Sequence, residues 1–275
     1  MAPGSPLQPL DLLFEADDLP TFDLPAELRR LLGSDLGFDE PRVYANFVST
    51  VDGVVAIPSI PGSNELISAG SEADHFMMGL LRAFADVVLI GAGTLRESPS
   101  GTWRPEKVYP PAGEAFAELR RRLGRTDAPG VAILSGRGSI DPSHPVLETG
   151  ALVLTSEPGA TRLAGRLPSA ASVVPLGEST TVDPHLMVSA LRDRGHRLIL
   201  SEAGPHTFGA LLAAEVVDEL FLTLSPLLAG DAGSGSRLRL VEAADLASLD
   251  VRGRLLSLRR HGAHVFLRYE LKRPT

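Results

Sequence analysis

Cysteine is missing altogether from the 275 residues. That excludes disulfides, thiolate catalysis and cysteine-ligated zinc, and it is compatible with a reducing compartment. No long basic run occurs, and 26 Lys and Arg against 34 Asp and Glu leave a net charge of −8. Nucleic acid is therefore not expected as a partner, because its phosphate backbone needs a basic footprint. No segment approaches the roughly 18 uninterrupted apolar residues of a membrane span. The first twenty residues are Pro-broken and acidic, unlike a secretory signal. A cytoplasmic protein with no membrane partner is the expectation. The seven His residues form no H-E-x-x-H or similar spacing, so no metal site is expected. Internal repeats and low-complexity tracts are lacking too.

Hydrophobic residues at 44% and charged residues at 22% are the values of an ordinary folded chain. Residues 1–40 mix Pro, Gly and acidic residues around a short helical pattern, Pro25 to Leu32, ended by Gly33. They read as an N-terminal extension before one domain over 41–275. Regular alternation then begins, with a strand at 42–49, a helix from Glu72 to Phe84 and an apolar strand at 86–91. A Pro- and Gly-rich passage with the only Trp, Trp103, precedes a charged helix at 114–123. Short apolar runs at 131–135, 151–155 and 172–176 read as buried parallel strands. A helix at 183–194, the strand RLILSEAG and a helix at 207–214 follow. The end of the chain reads as a hairpin turning at His261-Gly262-Ala263, placed at a sheet edge. The expected fold is α/β: a mostly parallel mixed sheet flanked by helices, with a C-terminal antiparallel hairpin.

Three segments can carry chemistry. In VVLIGAGTLRESP the chain leaves a buried strand through Gly91-Ala92-Gly93-Thr94, a turn with little side-chain bulk that a diphosphate can approach, or a plain glycine turn. Arg96 stands where the fingerprint G-x-G-x-x-G wants its third glycine, which disfavours a conventional Rossmann domain. In LILSEAGPHTFGALL, Glu202 sits at the carboxyl end of a strand and Gly204-Pro205 lead into a helix whose start favours an anion. Glu202 reads equally as a cap for free N–H groups. In NFVSTVDGVVAIPS, Asp52-Gly53 reads as a turn, with Asn46 and Ser49 on the strand before it.

Taken in order, NFVSTVDG, HFMMGLLRAFADVVLIGAGTL and LILSEAGPHTFGALLAAEVVDELFLTLSPLLAG closely resemble the reductase domain of riboflavin biosynthesis, the C-terminal part of the bifunctional deaminase-reductase. This domain belongs to the dihydrofolate-reductase-like superfamily. The resemblance covers residues 42–271 and implies a homodimer, NADPH as hydride donor, and hydride delivery to C1′ of a phosphoribosylamino-pyrimidine. The deaminase half of such proteins ligates zinc through P-C-x-x-C, which a chain without Cys cannot supply, so reduction alone is implied.

The resemblance also implies roles. Ser49, Ile67, Thr94 and Ser98 match positions that touch the nicotinamide half or the phosphates, and Gly91, Gly93, Gly204 and Pro205 match phosphate-cradling turns. Asn46, Asp52, Glu65, Arg82 and Glu202 match positions near the substrate, with Arg82 as a phosphate clamp or a surface ion pair. Ser135 and Arg137 lie where the superfamily's adenosine 2′-phosphate tends to be, and Thr155 and Ser156 are on the adenine side. Ala203 departs from the family's usual Glu-Gly-Gly-Pro. The reduction needs a proton, from water, Asp52 or Glu202, and a carboxyl group would need a raised pKa to give one near neutral pH. Two other readings share these residues: a reductase of a pterin, dihydrofolate or another heterocycle, and a dinucleotide-binding module without turnover.

Overall fold

The computed structural model describes residues 7–231, 233 and 237–272. Its strands are β1 (Asp11–Glu15), β2 (Arg42–Thr50), β3 (Val54–Ala56), β4 (Val87–Gly91), β5 (Gly130–Leu134), β6 (Leu152–Thr155), β7 (Ser172–Pro175), β8 (Leu198–Ser201), β9 (Glu219–Ser225), β10 (Leu238–Arg239), β11 (Arg252–His261) and β12 (His264–Lys272). All but β3 and β10 form one ten-stranded sheet, in the order β1-β11-β12-β9-β2-β8-β4-β5-β6-β7. Neighbours from β9 through β7 run parallel, and β9, β12, β11 and β1 pair antiparallel. The fold is thus a mostly parallel mixed sheet, with helices on both faces.

The helices are α1 (Ala26–Leu32), α2 (Ser63–Ile67), α3 (Glu72–Phe84), α4 (Ala92–Glu97), α5 (Pro105–Val108), α6 (Gly113–Arg122), α7 (Glu157–Leu163), α8 (Pro184–Arg192) and α9 (Pro205–Ala213). Strand β4, VVLIG, is buried at every position, which is why it reads as a continuous apolar run rather than an alternating one. Its period-2 geometry still sorts the side chains. Val88 and Ile90 join the core built with α1, α3 and α6, whereas Val87 and Leu89 join the core built with α8 and α9.

Two sequence expectations are corrected here. The C-terminal hairpin is not at the edge, because β12 pairs with β9 and β11 with β1. The edge on that side is β1, supplied by the N-terminal segment. That segment is also no appendage. Leu10, Leu24, Leu28, Leu31 and Leu32 are each at most 2% exposed and belong to the larger core, at about 2 kcal/mol of transfer free energy apiece.

Two buried arginines from the hairpin pin the same segment. Arg259 donates to the Leu32 carbonyl and, at 2.6 Å, to Glu15. Arg268 donates to the Gly37 carbonyl and to Glu219, with its guanidinium over the rings of Phe38 and Phe221. Residues 7–40 and the rest of the chain therefore share one core; residues 1–6 and 273–275 lie outside the described residues. Among the described residues no helix is long and apolar enough to cross a membrane.

Candidate active site

Strand β8 is short, pairing with β2 only as far as Ala45 and with β4 only as far as Leu89. Its neighbours run further, β2 to Thr50 and β4 to Gly91, so the sheet parts at the carboxyl ends of its strands. Chain direction reverses at the same place. Strand β2 leads through α3 to β4 and on to β5, β6 and β7, while β8 leads through α9 to β9 on the far side of β2. Such a switch point is where open α/β sheets bind ligands.

A cavity of about 490 Å³ fills the gap, within the roughly 300–1,000 Å³ of small-molecule sites. Asn46 comes to it from β2, Gly91 from the end of β4, Gly93 and Thr94 from the first turn of α4, which begins where the sequence suggested a turn, and Glu202, Gly204 and Pro205 from the β8–α9 junction. Glu65, Arg82 and Ser98 also line it, and the β3–β10 ribbon closes one side through Val55, Ala56 and Leu238. These ten sequence-derived positions are thus brought together. At Gly204 a Cβ would meet nothing within 4 Å, so that turn lies open to the cavity. Ala203 is fully buried, and the strand-like hydrogen bond from the Glu202 N–H to the Leu89 carbonyl, 2.9 Å, holds the turn in place.

Arg82 is not free to clamp a phosphate with its fork, as the sequence reading supposed. Its Nε and Nη2 donate to the two oxygens of Glu202 at 2.9 and 2.6 Å, and the two side chains are 11% and 10% exposed. This bidentate pairing fixes Glu202 as an acceptor in the cavity wall. With both oxygens accepting from the guanidinium, Glu202 contributes shape and charge to the wall of the cavity.

Five further expected residues lie apart from the cavity or have other partners. Asp52 points away from the cavity, accepting from the Thr50 hydroxyl and from the N–H groups of Ala229 and Gly230. Those bonds, the Thr50 hydroxyl first, lower its pKa to about 2. It is an anion that ties a loop, which does not suit a proton donor. Ile67 is fully buried with Val54 and Ile57. Ser49 is buried and donates to the Thr50 carbonyl, and Thr155 is buried and donates to the Ser135 carbonyl. Ser156 caps α7 by accepting the Gly159 N–H.

The Asp52 bonds carry a signed pH dependence. A depressed carboxylate stabilises the fold above its unfolded value of 3.8, and the stabilisation is lost as pH falls towards about 2. Asp52→Ala is expected to lower the urea midpoint at pH 7 and to lose that deficit progressively below pH 3.8. A deficit unchanged across that range would remove Asp52 from the account.

A second cavity of about 390 Å³ adjoins the first, sharing Ala92, Arg96, Leu134, His206 and Thr207 with it. Ser135 and Arg137 line it, with Gly136, Thr180 and Thr181. A Cβ on Gly136 would lie 1.8 Å from the Thr180 carbonyl oxygen, so the β5 turn and the 180–182 segment approach as closely as only glycine permits. Arg96 and Arg137 are exposed, and neither takes an ion pair or hydrogen bond among the described residues. Two uncommitted cations thus stand along one continuous groove.

Sequence reasoning passed over Arg96 as a flaw in a fingerprint and missed Asp74 entirely. Asp74 lines the main cavity from the first turn of α3, is 3% exposed, and its N–H is capped by Ser71. Burial raises its pKa, opposed by the Thr223 hydroxyl and by His75 and His264 nearby. A signal was available. Asp74, Met77, Leu81 and Phe84 share one helical stripe at i, i+3, i+7 and i+10, an acid on an otherwise apolar face. Trp103 both packs into the core, 4% exposed, and lines the cavity. Among the described residues no group of three or more His, Asp and Glu is arranged to hold a metal ion.

A family profile for the RibD C-terminal domain matches residues 41–266. No curated protein matches the chain in sequence. Among solved structures, a pyrimidine reductase-like protein from Corynebacterium diphtheriae is 24% identical, with a TM-score of 0.65 over 85% of this chain and 93% of that one. The diaminohydroxyphosphoribosylaminopyrimidine deaminase/5-amino-6-(5-phosphoribosylamino)uracil reductase of Thermotoga maritima is 19% identical, with a TM-score of 0.60 over 84% of this chain, which spans 56% of that protein. The riboflavin biosynthesis reductase Rib7 of Saccharomyces cerevisiae is 15% identical, with a TM-score of 0.56 over 87% of this chain and 94% of its own. At these identities the structural likeness concerns the fold.

Proposed function

The chain belongs to the RibD C-terminal domain family, and on that premise we propose that it is an NADPH-dependent reductase of a phosphoribosylamino-pyrimidine. The observation that carries the proposal is the groove itself: a cavity at the switch point, edged by open glycine turns, that continues past Arg96 into a second cavity ending at Arg137. A dinucleotide needs such a run of features. Gly91, Gly93, Thr94, Gly204 and Pro205 would hold the diphosphate, together with Arg96 and the free N–H groups at the start of α9. Ser135 and Arg137 would hold the adenosine end and its 2′-phosphate.

NADPH would supply the hydride, and the residues of this chain orient the substrate and exclude water. Asn46, Glu65 and Glu202 offer an amide and carboxylates for the hydroxyls and the polar pyrimidine. Arg82 keeps Glu202 from swinging away. Positioning of this kind supplies much of the catalysis in hydride transfer. A homodimer and a cytoplasmic location complete the proposal.

The test is to mix the purified protein with NADPH and the ribosylamino-pyrimidine and to follow the nicotinamide absorbance. Oxidation is expected. Binding without oxidation would leave a dinucleotide-binding module, and oxidation with dihydrofolate alone would move the enzyme to pterin chemistry. Arg137→Ala is expected to weaken NADPH binding by about tenfold or more, since a charged hydrogen bond is worth ~1.5–3 kcal/mol. NADH binding should be unchanged, and an equal loss for both nucleotides would take Arg137 off the 2′-phosphate.

A further inference from the structure

Hydride addition leaves a charge to be neutralised, and the cavity contains several candidate acids. Glu202 is held through both oxygens by Arg82. Glu65 is largely exposed, with His75 Nε2 3.4 Å from one of its oxygens. Asp52 is elsewhere. Asp74 is different: it lines the cavity, is 3% exposed, and no ion pair forms on it among the described residues. We propose that Asp74 is the general acid of the reduction, delivering the proton that accompanies the hydride.

The surroundings suit that role. Thr223 from β9 lies beside the carboxyl group and its hydroxyl favours the ionised form. His75 lies beside it on α3, and His264 comes from the start of β12, donating from Nε2 to the Ser68 carbonyl at 2.9 Å. Glu202, with Arg82 on it, faces Asp74 from the end of β8 and adds a like charge. Desolvation and that like charge both favour the neutral acid over the carboxylate, and Thr223 and the two histidines moderate them. A carboxyl group in a cavity wall whose neutral form is favoured over the ion is suited to give up a proton.

The step balances, and it rests on the reductase reading above. A glycosylamine opens to an imine, C1′=N. NADPH, held in the groove, would supply a hydride with both electrons to C1′, and the π pair would move onto nitrogen. Asp74 gives its proton to that nitrogen. A C–H and an N–H bond form, the transferred C–H bond of the dihydronicotinamide, the C=N π bond and the carboxyl O–H bond break, the imine is reduced and the dinucleotide oxidised. The carboxylate regains its proton from solvent once the product has left.

Asp74→Asn separates this step from the rest. It is expected to lower kcat by about 100-fold or more, in the range of general acid catalysis, with NADPH affinity and KM little changed. It should also erase the pH limb of kcat that reports the acid.

Two readouts need no turnover. Infrared difference spectra of wild type minus Asp74→Asn should show a protonated carboxyl band that persists above pH 3.8. A raised folded pKa means stability present below the unfolded value of 3.8 and lost as pH rises through the folded value. The Asn variant should therefore match wild type in acid and melt higher at neutral pH. An active wild type beside an equally active Asn variant, or a missing infrared band, overturns the role of Asp74 alone. A wild type that oxidises no dinucleotide overturns the reductase reading, and this step with it.

Discussion

Thr94→Arg is expected to abolish NADPH binding while the protein remains folded. Thr94 stands in the first turn of α4, half-buried, on the wall of the main cavity and next to Gly93. A guanidinium on that turn fills the space that the diphosphate would take. The added charge is of the attractive sign, so a loss of binding reports filling of the cradle and not repulsion. The expected loss is at least about 100-fold in Kd, equivalent to ~2.7 kcal/mol. Fluorescence titration with NADPH measures it, and circular dichroism with a thermal melt checks the fold. Affinity within a factor of a few of wild type would place the dinucleotide elsewhere.

The second large effect concerns stability. Arg82→Met leaves Glu202 as an unpaired charge in a wall where its side chain is only 10% exposed. Removing one partner of a buried pair costs about 3–5 kcal/mol, whereas replacing both by apolar groups is often neutral. The single variant should therefore unfold at clearly lower urea concentration, and Arg82→Met with Glu202→Leu should recover most of the loss. The double variant should remain inactive because the polar wall is gone. A single variant within about 1 kcal/mol of wild type would show that water solvates the pair, at the level of a surface ion pair.

The parts of this site that could be read from the sequence are those fixed locally. Gly91 to Thr94 and Glu202 to Pro205 announce themselves because an apolar strand running into small residues is a property of neighbours in the chain, and both segments do reach the cavity. The order of the sheet strands from β2 to β9 follows from apolar runs between Gly and Pro for the same reason, whereas β3 and the short helices α2, α4, α5 and α7 went unread. What escaped is tertiary. The segment before residue 41 is tied down by Arg259 and Arg268, more than 200 residues away along the chain, and nothing in its own composition predicts them. The C-terminal hairpin lies inside the sheet because that segment adds β1 outside it.

Asp52, Arg82 and Asp74 make the same point through charge. Each is an ionisable residue near a recognisable motif, and sequence reasoning singled out Asp52 and Arg82 while passing over Asp74. The structure separates them by partners: backbone N–H groups and a hydroxyl for Asp52, a carboxylate for Arg82, burial for Asp74. Partners decide which group remains an anion, which orients a neighbour and which can carry a proton.

The central claim is that the groove brings a reduced nicotinamide to the ribosyl carbon of a pyrimidine substrate. A single turnover with NADPH carrying deuterium at the transferred position of the nicotinamide tests it most directly, with the product read by mass spectrometry and NMR. The account predicts one deuterium at C1′ of the ribityl chain, formed in step with NADPH oxidation. A product with deuterium on the pyrimidine ring, or NADPH that stays reduced with substrate bound, would contradict it.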